Sequence, residues 1–191
     1  ALIMSEENIS YFTSFHSSNG YLVVTDDKSY FLTDSRYVEA AQDKIKTVDE
    51  VLLLRSMKDD IYNLFDKLGV KKLHIESDRI TVKRCNDIKK ATALRQKVIS
   101  NGKLDEAIDN IRIKKKNDEI NKIVTAQRIA ENAFNHILSF ISTEKTEKEV
   151  AIELDYFMLK NGADALSFET IAVSGKNSSK PHGVPSDKKI E

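Results

Sequence analysis

A single change of hydrophobic rhythm limits what this chain can fold into. Up to about residue 100, short apolar runs of strand length alternate with helix-spaced segments. From Ile120 to Ile141 the spacing is helical throughout, carried by Ile123, Val124, Ile129, Ala130, Ala133, Phe134, Ile137 and Leu138. Residues three and four apart share one face of an α-helix, whereas strands bury alternate residues. The first part therefore predicts a mixed sheet flanked by helices, an α/β (α+β) arrangement, and the second a helical start. A boundary is expected between Gly102 and Lys116, with domains over residues 1–110 and 111–191.

Local signals fill in the elements. Ala1–Met4 reads as a strand cut at its start, which implies that a natural first segment is missing. Glu6–Phe12 is expected as a helix with Ser5 as N-cap. Ser17-Ser18-Asn19-Gly20 marks a turn, and Tyr21–Thr25 and Ser29–Thr33 form a hairpin pattern around Asp26-Asp27-Lys28. A helix over 34–43 and a strand over 48–54 follow. In Asp59–Leu68, Ile61, Leu64, Phe65 and Leu68 fall on one helical face, and Gly69 stands where a C-terminal cap belongs. Lys72–Glu76 is expected as a strand, Thr81–Ala91 as a helix and Lys97–Ile99 as a strand. Asn117-Asp118-Glu119 reads as a helix start with a capping side chain and first-turn acids. Thr146 and Glu149 have capping-box spacing. They open a second helix that buries Val150, Leu154, Phe157 and Met158 and stops at Asn161-Gly162; Phe168–Val173 is then expected as a strand.

Charge excludes several function classes. Among 191 residues, 30 Lys and Arg balance 30 Asp and Glu, so no global field steers the chain toward nucleic acid or an anionic membrane. The run Lys114-Lys115-Lys116 is short, precedes Asp118-Glu119, and reads as a solvated approach to a helix. No apolar run is long enough to span a bilayer. Cys85 is the only cysteine, which rules out an internal disulfide and fits a reducing, cytoplasmic compartment. It sits in a charged helical stretch without a neighbouring histidine, so it reads as a structural or incidental thiol rather than a nucleophile. His16, His74 and His136 show no ligand-like spacing. Tyr11, Phe12, Phe15, Tyr21, Tyr30 and Phe31 read as sheet and hairpin packing.

The remaining histidine is placed differently. His182 lies between Pro181 and Gly183 in a small-residue loop, where glycine permits close backbone approach and imidazole can reach a substrate amide or carbonyl. Alone, a loop histidine is commonly an incidental surface residue. Its setting says more. Thr146-Glu147, Gly162-Ala163, Ser167-Phe168, Ser174-Gly175-Lys176-Asn177-Ser178, Pro181-His182-Gly183 and Pro185-Ser186-Asp187 follow in order. Upstream stand Asn8-Ile9-Ser10-Tyr11-Phe12-Thr13-Ser14-Phe15 and Thr33-Asp34-Ser35-Arg36-Tyr37. This series resembles the X-Pro dipeptidases (prolidases) and X-Pro aminopeptidases, pita-bread metallopeptidases with a creatinase-type N-terminal domain. Ser14 replaces a glycine of the family pattern.

The resemblance implies a mixed-sheet creatinase/prolidase N-terminal domain, its first helix missing, followed by the first helices and strand of a pita-bread domain. It implies hydrolysis of X-Pro bonds in dipeptides or short peptides with two divalent metal ions, Mn, Co or Zn, that make a water nucleophilic. His182 inherits a catalytic and substrate-binding role, holding the peptide and stabilising the developing tetrahedral species. The family's metal ligands would lie beyond Glu191, so no metal ligand is assigned here and this piece alone would be inactive. Asp187 and Glu191 read as solvated acids, Glu147 and Glu149 as helix-start chemistry. A homodimer through the N-terminal domain is implied. In some relatives that domain reaches the partner's active site, where Arg36 could bind a substrate carboxylate. The residues themselves favour an intradomain pair of Arg36 with Asp34 or Glu39. Two other readings share the architecture: a metal-free protein-binding module and a creatinase-like amidinohydrolase. Keeping His182 within Pro-His-Gly favours the peptidase over the binding module.

Overall fold

The computed structural model describes residues 1–92 and 95–191, which divide into two compact units, Ala1–Lys114 and Lys115–Glu191. In the first unit, strand β1 (Leu2–Ile3) leads into helix α1 (Glu6–Thr13), then into the hairpin β2 (Gly20–Val24) and β3 (Ser29–Thr33). Helix α2 (Val38–Lys44) and strand β4 (Glu50–Leu53) follow, then a π-helical turn (Met57–Tyr62) that runs into α3 (Asn63–Lys67). The unit continues with β5 (Lys72–His74), α4 (Val82–Thr92), β6 (Lys97–Ile99) and α5 (Lys103–Ile113). Strands β1, β2 and β3 pair antiparallel, and β4 joins β3 in parallel. The parallel pair β5 and β6 touches β1 through a bridge from Leu2 to Ile75. The sheet is mixed, as the alternating pattern predicts.

Period-two alternation divides the side chains between two cores. Leu2, Val23, Tyr30 and Leu32 pack with Ile61, Phe65, Leu73 and Ile88. Their sequence neighbours Ile3, Leu22 and Phe31 pack with Ile9, Phe15, Ala41 and Ile108. Slipping one strand by one residue would exchange the two sets, so burial on both faces fixes the register. Phe31 and Phe65 are among the largest fully buried side chains.

Several local expectations need correction. Ser5 occupies the N-cap position of α1, but its hydroxyl does not cap: it donates to Glu76 Oε1 at 2.5 Å. Glu76 is only 1% exposed and also receives the Met4 and Ser5 N–H groups and Asn8 Nδ2. A buried carboxylate thus takes the hydroxyl that the local pattern assigns to the helix. Helix α2 begins at Val38 rather than at Asp34, whose side chain is engaged with Asn19 and Arg36. The helix over 59–68 starts as a π-helical turn, and Gly69 ends it at φ +64°, a conformation that costs glycine nothing. Ser14 adopts φ +54° at the end of α1, which explains why a glycine suits that position. Helix α5 lies in the stretch assigned to the boundary; Leu104, Ile108 and Ile111 carry its helical spacing. Buried Asp105 ties it down by accepting from the Ser77 N–H, the Ser77 hydroxyl and the Asp78 N–H.

The second unit opens with a helical hairpin of α6 (Asn117–Phe140) and α7 (Glu147–Lys160). Asn117 is the first helical residue rather than the cap, and Glu119 instead accepts from the Lys116 N–H at 2.7 Å. Of the long apolar series on α6, Ala133 and Ile137 are buried, whereas Ile120, Ile123, Val124, Phe134 and Leu138 are exposed. Along α7, Val150 is buried; Leu154, Phe157 and Met158 are half-buried. The predicted strand over Phe168–Val173 does not form: the segment pairs with no strand among the described residues, and Phe168 and Ile171 are exposed. A strand needs a partner for its alternate N–H and C=O groups, which composition alone cannot supply. Among the described residues no helix is long and apolar enough to cross a membrane.

Candidate functional site

The histidine loop is built on the first turn of α7. A helix leaves its first four N–H groups without intrahelical partners. Here all four are met. Thr146 N–H donates to Glu149 Oε2 and Glu149 N–H to Thr146 Oγ1, the reciprocal capping box that the spacing predicts. Glu147 N–H donates to the Lys188 carbonyl at 2.9 Å and Lys148 N–H to that of Ser186 at 3.0 Å. The chain after the loop is therefore bound to the helix start.

Glu147 does far more than begin a helix. Its side chain is fully buried. Oε1 accepts the Ser174 N–H at 2.8 Å and Asn177 Nδ2 at 3.1 Å; Oε2 accepts the Ser186 hydroxyl at 2.7 Å and the Ser186 N–H at 3.2 Å. Hydrogen bonds from the Ser186 hydroxyl, the Ser174 N–H, Asn177 and the Ser186 N–H outweigh burial and hold this carboxyl down to about 2. The helix N-terminus beneath it also favours negative charge. The sequence gives no local hint of this role, because an acid directly after a capping threonine is fully accounted for as helix-start chemistry. The bonds that define it come from residues 27 to 39 positions later.

Between Ser174 and Ser186 the chain makes a 3₁₀ turn over Gly175–Ser179 and then a tight turn closed by Gly183 N–H on the Lys180 carbonyl at 3.1 Å. Pro181 occupies the second position of that turn, where its fixed φ is favoured, and His182 the third. The imidazole is exposed, on open surface of this unit. Gly183 is buried; a Cβ there would meet the Val173 side chain at 3.0 Å, so any larger residue beside the histidine would have to push Val173 aside. This arrangement can present an imidazole, carried on a turn tied down at both ends, to a group arriving from outside.

Arg36 belongs to the other unit. Its guanidinium pairs with Asp34, Nη2 to Oδ2 at 2.7 Å and Nε to Oδ1 at 3.1 Å; of the two intradomain partners expected, Asp34 is the one it takes. Arg36 and Asn19 hold the Asp34 carboxyl well below the usual carboxylate range. Asp187 is exposed and pairs with Lys148 at 3.1 Å, and Glu191 pairs with Lys188. His136 joins α6 to α7, with Nε2 2.6 Å from Glu153 Oε1 and its ring stacked on Phe157. His16 sits 3.2 Å from the Ser10 hydroxyl. Cys85 is half-buried and lies 3.7 Å from the Ser100 hydroxyl. Among the described residues, no group of three or more His, Cys, Asp or Glu could hold a metal ion.

Residues 1–114 match the Creatinase/Prolidase N-terminal domain. The chain belongs to the creatinase/prolidase family. Residues 121–191 match Metallopeptidase family M24, a family that implies divalent metal cofactors. An uncharacterized peptidase of Bacillus subtilis is 36% identical over the whole chain, which covers 53% of that protein. The structure of an Xaa-Pro dipeptidase from Bacillus anthracis superposes over the whole chain with a TM-score of 0.86 at 35% identity, and the chain covers 52% of it. That of an X-Pro aminopeptidase from Thermotoga maritima gives 0.87 at 29% identity, with 55% covered. This creatinase/prolidase chain thus spans about half the length of the curated relatives it matches. The mixed sheet of its first unit is the fold that the resemblance implies.

Proposed function

We propose that the chain is part of a metal-dependent exopeptidase that hydrolyses X-Pro bonds in dipeptides or short peptides. Support comes from the dipeptidase and aminopeptidase relatives that align along its full length. The observation that carries the site is His182, exposed at the tip of a proline turn whose two feet share one buried carboxylate. In this reading the imidazole binds the substrate and donates to the carbonyl oxygen as it gains charge, the role of a positioned oxyanion donor. In the full-length protein two divalent ions, Mn, Co or Zn, would supply the activated water. Arg36, paired with Asp34 in its own unit, is in the same reading a second substrate-binding residue, its guanidinium meeting a substrate carboxylate. A homodimer and a cytoplasmic location belong to the same reading; the single cysteine fits a reducing compartment.

The test uses the full-length protein loaded with each metal in turn and assayed on X-Pro dipeptides and on longer peptides with proline second. Hydrolysis is expected, with His182→Ala lowering kcat by about 10²-fold or more. A metal-loaded, folded protein that cleaves none of these peptides overturns the proposal.

A further inference from the structure

We infer that Glu147 is the positioning residue of the His182 loop, its buried carboxylate fixing both feet of the loop and thereby the direction of the imidazole. The inference rests on the peptidase reading for the role of His182, but not for the geometry. Three features carry it. The Glu147 side chain contributes nothing to capping its own helix, because Thr146, Glu149 and the carbonyls of Ser186 and Lys188 already satisfy the first-turn N–H groups. All its bonds instead go to the loop: Ser174 and Asn177 before the histidine and Ser186 after it. Between those feet the backbone bonds among the described residues are local ones, from Lys180 to Asn177 and from Gly183 to Lys180. A loop closed only by local turns can tilt as a body about its feet. Here both feet are gripped by two oxygens of one side chain on a helix, and Gly183, buried beside the histidine, packs close against the Val173 side chain. Glu147 would touch no substrate; it would act through His182.

The experiment compares Glu147→Gln, His182→Ala and their double variant in the full-length, metal-loaded protein. Glu149→Gln, which weakens the same helix start without touching the loop, is the control. Glu147→Gln is expected to lower kcat/KM on an X-Pro dipeptide by about 10²-fold, the scale of an ångström-level misplacement. Glu149→Gln should leave it unchanged. In the His182→Ala background, Glu147→Gln should cost nothing more, because the two changes remove one function. Hydrogen exchange reads the geometry without activity: the Ser174 and Ser186 amides should lose protection in Glu147→Gln and keep it in Glu149→Gln. Unchanged exchange at both amides, or losses in kcat/KM that multiply in the double variant, overturns the inference. If the wild-type protein cleaves no X-Pro peptide, the functional reading falls and the exchange result alone decides the positioning. Should Glu147→Gln not fold, Ser186→Ala removes one of the carboxylate's four donors, together with the bond its hydroxyl accepts from the Lys188 N–H, and is judged by the same coupling, with a smaller loss.

Discussion

The Glu147 carboxylate holds a charge that the surrounding fold requires. Its four donors, two from backbone and two from side chains, can all be used only while it is ionised. Unfolded, it titrates near 4.5; folded, at about 2. The folded state therefore prefers the ionised form. Its contribution is complete above pH 4.5 and drains away as pH falls from there toward 2. Thermal unfolding of the full-length protein, followed by circular dichroism at successive pH values, should show the melting temperature falling through this interval. Glu147→Gln should melt lower at neutral pH and lose less on acidification. A wild-type acid profile that Glu147→Gln leaves unchanged would show that the carboxylate is not held as described. The same residue shows where reading the sequence stops. Thr146 and Glu149 are legible because their partners lie three residues apart on one helix turn. Glu147 is not, because its partners arrive from distant chain and no local pattern records them. Ser5 repeats the lesson: the cap position is local and legible, whereas the hydroxyl's bond to Glu76 spans 71 residues and is not.

At the scale of elements, the start of α7 is the joint on which the second unit turns. Thr146 Oγ1 accepts the Glu149 N–H at 3.1 Å, and Ser186 and Lys188 close the two N–H groups between. Replacing Thr146 with alanine removes one cap and leaves the loop's anchor in place. It should cost about 1 kcal/mol, the usual loss for a threonine N-cap. Urea unfolding of the full-length protein checks this, and an unaltered midpoint would count against the capping geometry. Helices and paired strands with strong periods are legible in the sequence to within a residue or two, as in α1, β2, β3, β6 and α7. Two elements are not. Phe168–Val173 has strand composition, but strand formation is decided by a neighbour, and the described residues pair none with it. Helix α5 carries helical spacing in Leu104, Ile108 and Ile111, yet its charged setting next to the basic run reads equally well as a boundary.

The two units differ most in what they bury. The first encloses a sheet on both faces, with Leu2, Phe31, Leu32, Ile61, Phe65, Leu73, Ile75 and Ile88 all at most 1% exposed. Among the described residues, the buried apolar side chains of the second unit are Ala133, Ile137, Val150 and Ala151, two of them alanines. Meanwhile Ile123, Phe134, Leu138, Ile152 and Tyr156 on the helical hairpin lie open. Folding must offset roughly 1–2 kcal/mol of backbone entropy per residue, at about 25 cal/mol gained per Å² of apolar surface hidden. A sheet filled on both faces can meet that cost; a hairpin that hides little more than its inner seam cannot. Residues 1–114 expressed alone should therefore unfold cooperatively in urea and give dispersed amide resonances. Residues 115–191 alone should show helix in the far ultraviolet, bind a hydrophobic dye, and melt without a cooperative step. A sharp, two-state transition for 115–191 by itself would mean that the anchored loop and capped helix hold this unit together with almost no core, and that hydrogen bonding around Glu147 outweighs the exposed apolar face.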